Sequence, residues 1–212
     1  MSIDQHRGAP PLPPLVAYAV LTVAALVVPA VLADGSPWAS DTAFAVALTD
    51  HPAAIRWQCL LTLAAAIPLA VLSAIVADRI RTLGLHVPGR LIALVGGCGA
   101  AVMLAISGLV PVALLAASGD RSLAAVGRDL ATTAGGTAFS MFLGLLVAGI
   151  AVTGLLGRLL GRRVAIAGLV VAVVGELCVL TVLTDAADPL LPVMRFGSIV
   201  WLLVAVPTLG RR

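Results

Sequence analysis

Six apolar stretches, each long enough to cross a bilayer, decide what this chain can fold into. They cover residues 15–33, 52–77, 91–117, 130–156, 164–184 and 190–209. A spanning helix needs about 20 mostly apolar residues. The connections between the stretches are short, so residues 15–209 read as one all-α domain, a polytopic transmembrane helical bundle with six spanning helices. Apolar residues cover every face of these segments. A surface helix of a soluble protein would show an apolar stripe only about 100° wide, and a membrane barrel would alternate with period two. Composition agrees, with 61% hydrophobic residues and 11% charged ones, against roughly 25% charged in an ordinary soluble domain. A soluble enzyme, a disordered regulator and a nucleic-acid binder are thereby excluded. The net charge of +3 is small and divided between two sides, which implies no nucleic-acid partner.

The arginines set an orientation. With the N-terminus placed inside, the inner side carries Arg7, Arg79, Arg81, Arg90, Arg158, Arg162, Arg163, Arg211 and Arg212, and the outer side only Arg56, Arg121, Arg128 and Arg195. Basic residues gather in cytoplasmic loops. Both termini are therefore expected in the cytoplasm of a bacterial cell, with a disordered tail over residues 1–14 and a basic end over 210–212. All the basic residues are Arg, and that usage, with much Ala, Val, Gly and Leu, suggests a GC-rich genome. Arg158, Arg162 and Arg163 should face anionic lipid headgroups, at about 1 kcal/mol each. Val31-Leu32-Ala33 resembles a signal cleavage site, but the run before it is long enough to span and five more spans follow. Retention as a membrane helix is the expectation.

Local signals fill in the connections. In the long outer loop, Ser40 can cap a short interfacial helix over 41–49, with Phe44 and Leu48 on one face. His51 then precedes Pro52 at the first position of the second span, where a missing N–H is harmless. The second outer loop, 118–129, is expected to hold another short interfacial turn around Leu123 and Val126. Pro68 and Pro111 lie inside spans two and three and should kink them. The five-residue loop 185–189 makes spans five and six antiparallel neighbours. Small or polar residues recur every four positions in the fourth span, at Thr132, Gly136, Ser140, Gly144 and Ala148. Span three repeats the pattern at Ala93, Gly97, Ala101 and Ala105, and span two at Ala66, Ala70 and Ala74. Such stripes let helix backbones approach, so spans two, three and four are expected to form the tight centre.

Signatures of chemistry are sparse. Without Lys there is no P-loop clamp and no Schiff-base residue. His6, His51 and His86 lie at the water interfaces, and Cys59, Cys98 and Cys178 have no metal-ligand spacing. No metal and no cofactor is expected. Glu176 stands out near the middle of span five, where an ionised group costs on the order of 2.5–3.5 kcal/mol. Its expected partner is Arg195 on span six, with Thr132, Thr133 or Ser140 as alternatives, although about 13 Å of helix separates Glu176 from the outer end of its span. Asp41, His51 and Arg56, with Asp50, Asp129, Asp185 and Arg195, outline a polar outer rim.

Asp41-Thr42-Ala43, His51-Pro52 and Arg56 resemble the first outer loop of a broad family of uncharacterised bacterial six-helix membrane proteins, a domain of unknown function. Gly175-Glu176-Leu177, Leu190-Leu191-Pro192, Arg195-Phe196 and Trp201-Leu202 resemble its C-terminal part. The likeness covers most of residues 15–209. It implies a topology and no activity, and marks Glu176, Arg195, Arg56 and Asp41 as positions of interest.

The sequence therefore leads to a multi-pass protein of the bacterial cytoplasmic membrane in a non-enzymatic role, such as a partner of another membrane component. A protein partner or self-association fits that role. The alternative is a transporter of a small molecule or lipid with an interior site around Glu176. A membrane-embedded enzyme ranks last, because no nucleophile, base and electrophile can be assembled.

Overall fold

The computed structural model describes residues 10–33, 35–84, 87–117 and 120–209. The expected tail and basic end fall largely outside these: residues 1–9 and 210–212 are not described, nor is His86. The described residues are helical throughout, with no strand among them. Helices α1 (Leu12–Leu32), α3 (Pro52–Thr82), α4 (Gly89–Leu114), α6 (Phe139–Leu156), α7 (Arg162–Leu177) and α8 (Leu190–Thr208) carry the spans, and α2 (Asp41–Asp50) and α5 (Arg121–Thr133) lie at one end. Six helical segments, with α5 and α6 counted as one, are long and apolar enough to cross a membrane. Large apolar side chains such as Val20, Val31, Ile67, Val95, Leu156 and Val200 stand exposed around the bundle. So much exposed apolar surface is a lipid contact, since soluble monomers avoid it. The chain is a multi-pass helical membrane protein.

The spans form a ring. α1 packs on α3, α3 on α4, α4 on α6, α6 on α7 and α7 on α8, and α8 returns to α6 and α1. Leu15, Tyr18, Leu69, Leu72, Phe139, Leu143, Leu146, Met194 and Leu202 fill its core. Span order and neighbourhood follow the sequence reading closely, including the α7–α8 pair, where Trp201 Nε1 donates to the Val164 carbonyl at 2.8 Å. The tight centre is α4, held between α3 and α6. Its seam with α6 is made by Gly89, Ala93 and Gly96 against Leu146, Gly149 and Thr153, where a Cβ on Gly96 or Gly149 would run into the facing backbone.

The four-residue stripe of the fourth span faces elsewhere than expected. Gly144 meets Ala172 and Gly175 of α7, and Gly136 meets Leu191 of α8. The stripe is also broken at its start. Residues Ala134–Ala138, the sequence AGGTA, form a π-helical turn between α5 and α6. A π turn holds more residues than an α turn, so positions four apart no longer share one face across it.

Two end features follow from capping. Ser40 Oγ accepts from Ala43 N at 3.1 Å and starts α2 as expected, and Phe44 and Leu48 are buried with Ile55, Cys59, Leu114 and Ala124 in a second small core. The 118–129 connection holds more than the expected turn around Leu123 and Val126: it is helical from Arg121 onward and continuous with the span. Asp120 causes this, its carboxylate accepting from Ser122 N at 2.9 Å and Leu123 N at 3.2 Å. Ala124, Gly127 and Ala131 then turn inward while Ser122 and Asp129 face out. The Ser122 hydroxyl and these amides hold the Asp120 carboxyl below its ordinary value. A depressed folded-state value means the cap is fully formed above the usual Asp value of about 3.9 and is lost as pH falls through the depressed one. Protection of the Ser122 and Leu123 amides, taken relative to the intrinsic exchange rate at each pH, should be high at pH 5 and fall only well below pH 4. Asp120→Ala should lower it at both; equal protection in the variant would refute the cap.

Candidate functional site

Several of the polar residues that interrupt the apolar spans converge on a cavity of about 360 Å³. Its wall takes Thr22 and Leu26 from α1, Gln58 and Thr62 from α3, Ser107 from α4, Phe139 and Ser140 from α6, and Arg195 and Phe196 from α8. Ser36 and Trp38, before α2, line it at the end at which α2 and α5 lie.

The π turn forms part of that wall, through Gly135 and Gly136. Widening a helix releases carbonyls from their usual partners. Two carbonyls along this ridge are taken by side chains of other helices. Ser107 Oγ donates to the Ala131 carbonyl at 2.8 Å, and Arg195 Nη2 donates to the Gly135 carbonyl. Thr137 Oγ1 also shares a 2.6 Å hydrogen bond with Thr181 Oγ1.

Arg195 is the chemical centre of the cavity. Its guanidinium carbon lies 5.0 Å from the centroid of the Phe139 ring, in cation–π contact, which contributes about 0.5–2 kcal/mol. Among the described residues no carboxylate pairs with it. The Gly135 carbonyl is its one side-chain hydrogen bond in the described structure, which leaves most of the five donors of the fork without a protein acceptor. Around it, Thr22 Oγ1, Gln58 Oε1 and Trp38 Nε1 are buried atoms of the wall that make no hydrogen bond. Thr22 is 7% exposed. One turn away on α1, the fully buried Tyr18 hydroxyl sits beside Thr22 and makes no hydrogen bond of ordinary geometry. A buried polar atom left unpaired costs about 1–3 kcal/mol. A guanidinium with most of its donors free, in a cavity whose wall also holds the unpartnered Trp38 N–H and Thr22 hydroxyl, is costly for a purely structural interior and complementary to an anion, whereas the Gln58 oxygen calls for a donor.

The sequence-marked residues do not all meet here. Glu176 lies on the outside of the bundle, exposed, beside Gly144 in the α6–α7 groove. No ion pair joins it to Arg195 among the described residues. The two are on neighbouring helices but their side chains leave on different faces. Ser140 is buried and lines the cavity, as does Gly136, while Gly144 serves α6–α7 packing. Asp41 belongs to a separate contact at the bundle end: Arg128 Nη1 donates to Asp41 Oδ1 at 3.0 Å and Arg128 Nη2 to the Trp38 carbonyl at 2.9 Å. Arg56 is exposed, and His51 marks the junction of α2 and α3. No group of three or more His, Cys, Asp or Glu residues could hold a metal among the described residues.

Sequence reasoning missed Arg128, Gln58, Trp38 and the Tyr18–Thr22 pair. Their shared signal is polarity inside or just beyond an apolar run. Arg128 ties α5 to the segment that lines the cavity at this end. Asp41 is largely exposed, so Asp41→Asn should cost under about 1 kcal/mol. Arg128→Ala also strips the Trp38 carbonyl of its donor and should cost about 1–3 kcal/mol. Thermal melts in detergent would order the two variants. Equal melting temperatures would show that the Trp38 bond contributes nothing.

Compared with protein-family models, curated proteins and solved structures, the chain matches none.

Proposed function

We propose that this membrane protein is a non-enzymatic binding or carrier protein whose cavity takes a ligand bearing one anionic group, a carboxylate or a phosphate. The observation that carries this reading is Arg195: a guanidinium on the cavity wall, without a described carboxylate partner, in a cavity whose wall also holds a hydroxyl and an indole N–H that lack hydrogen bonds. A guanidinium fork matches carboxylate and phosphate geometry better than any other side chain. In this reading the interior site forms around Arg195 rather than Glu176.

The test is a set of small probes on the purified protein in detergent. Acetate, propanoate and inorganic phosphate should raise the melting temperature saturably, by linkage worth about 2.7 kcal/mol at a hundredfold excess over Kd. Acetamide and propanamide, matched in shape but uncharged, should not. Equal shifts from acids and amides, or none from either, would remove the reading.

We further place the protein in a bacterial cytoplasmic membrane with both termini inside and the α2–α5 end outside, within the six-helix family that its loops resemble. The basic connections support this: Arg79, Arg81, Arg90, Arg158, Arg162 and Arg163 flank the inner ends of the spans and suit anionic headgroups. An active periplasmic reporter fused after residue 212 would overturn it. A second reading, association with another membrane helix, is favoured by Glu176. A carboxyl exposed on a lipid-facing helix is costly until something covers it. If that reading holds, Glu176→Leu should release the associated chain on size-exclusion chromatography.

A further inference from the structure

The walls of the cavity bear on the route by which an anion reaches Arg195. At the α2–α5 end the way from water is narrowed, with Ser36 and Thr132 of the wall exposed there. Trp38 packs on Phe44 with ring centroids 4.8 Å apart, and Arg128 holds the Trp38 carbonyl while bonding Asp41. The side of the bundle is different. Leu26 and Phe196 both line the cavity, yet they are 41% and 44% exposed on the outside of the ring. Leu26 precedes the end of α1 at Leu32 by six residues, and Phe196 follows the start of α8 at Leu190 by six. Each therefore sits roughly 9 Å of helix below its end. The 21 residues of α1 span about the 30 Å of a hydrocarbon core, so this depth is lipid and not water. α1 and α8 also share the thinnest seam of the ring.

The geometry points to a lateral mouth between α1 and α8, and to an anionic amphiphile with a single acyl chain as the ligand. Its head binds the Arg195 guanidinium, with the unpartnered Thr22 hydroxyl and Trp38 indole N–H of the same wall as further donors. Its chain leaves between Leu26 and Phe196 into the bilayer. Charge selects the head, through Arg195, and the apolar rim selects a chain-bearing source over a free anion. This assignment rests on the anion-binding reading above.

The test uses the full chain in nanodiscs of phosphatidylcholine, with a sixteen-carbon fatty acid carrying a photoreactive diazirine in its chain. Labelling should fall on the peptides that contain Leu26 and Phe196. Excess palmitate should suppress it at least tenfold, and methyl palmitate should not. Leu26→Trp, at an exposed position that tolerates bulk, should lower it at least tenfold by filling the mouth. Arg195→Gln should do the same from the head side, with Arg195→Lys retaining part of the labelling if the charge alone matters. If acetate stabilises the protein but the fatty acid neither labels these peptides nor is displaced by palmitate, the lateral mouth is wrong and the anion site stands. If neither binds, both fall. Equal competition by palmitate and its methyl ester would overturn the assignment of the head to Arg195.

Discussion

Replacing Arg195 with Met is expected to lower affinity for an anionic ligand roughly 10- to 100-fold while changing the stability of the empty protein by less than about 2 kcal/mol. The two effects have different origins. A hydrogen bond to a charged group contributes about 1.5–3 kcal/mol, and each 1.4 kcal/mol is a factor of ten in Kd. Stability is a contest between two terms. Met removes a cation taken out of water with no described carboxylate to balance it, and such a replacement is often neutral or stabilising. Against that, the Gly135 carbonyl loses the donor that the π turn made necessary, at about 1–3 kcal/mol. Arg195→Lys keeps the charge without the fork and should bind with intermediate affinity. Titration calorimetry with propanoate, alongside melts without ligand, separates the terms. Unchanged affinity in Arg195→Met would show that the cation does not recognise the ligand.

A larger loss of stability is expected at Gly149. In an ordinary exposed helix, Gly→Ala gains about 1 kcal/mol from propensity. Here the added methyl would meet the Ala93 amide and the Gly89 carbonyl across the α4–α6 seam. Those are backbone atoms of a spanning helix and cannot swing aside as a side-chain tip can. Overpacking of this kind costs about 1–3 kcal/mol, so Gly149→Ala should be destabilised on balance and Gly149→Val should barely fold. Gly161, with nothing within 4 Å of its would-be Cβ, is the control and should accept Ala without loss. Unfolding in SDS reports both. A Gly149→Ala protein as stable as the parent would mean that the two helices part more easily than their close approach implies.

The bundle was legible in the sequence because its signals are collective. Six long apolar runs leave no other architecture, and a five-residue connection forces α7 beside α8. The Ser40 cap and the burial of Phe44 and Leu48 were legible for a different reason, since capping is local chemistry. The cavity was not legible, because Thr22, Gln58, Ser107 and Arg195 are far apart in the chain and look like isolated polar residues until the ring closes. Glu176 misled for a related reason. Depth in a span can be counted from the sequence, but which way a side chain leaves an all-apolar helix cannot, since no stripe marks the inner face. The π turn hid in a run of small residues whose four-residue spacing implied one continuous α-helix.

That turn makes α5 and α6 a single rod with two phases. Each residue of an α-helix advances the side-chain direction by about 100°. Surplus chain in the AGGTA turn therefore rotates all of α6 relative to α5. The rotation lets the rod serve two clients: α5 turns Ala124 and Gly127 toward the small core at the bundle end, and α6 turns Gly149 to α4 and Gly144 to α7. A chain shortened by one residue at this point would put both halves back in phase. It would keep its hydropathy and its six spans. It would lose the register in which a backbone carbonyl of one helix meets the guanidinium of another.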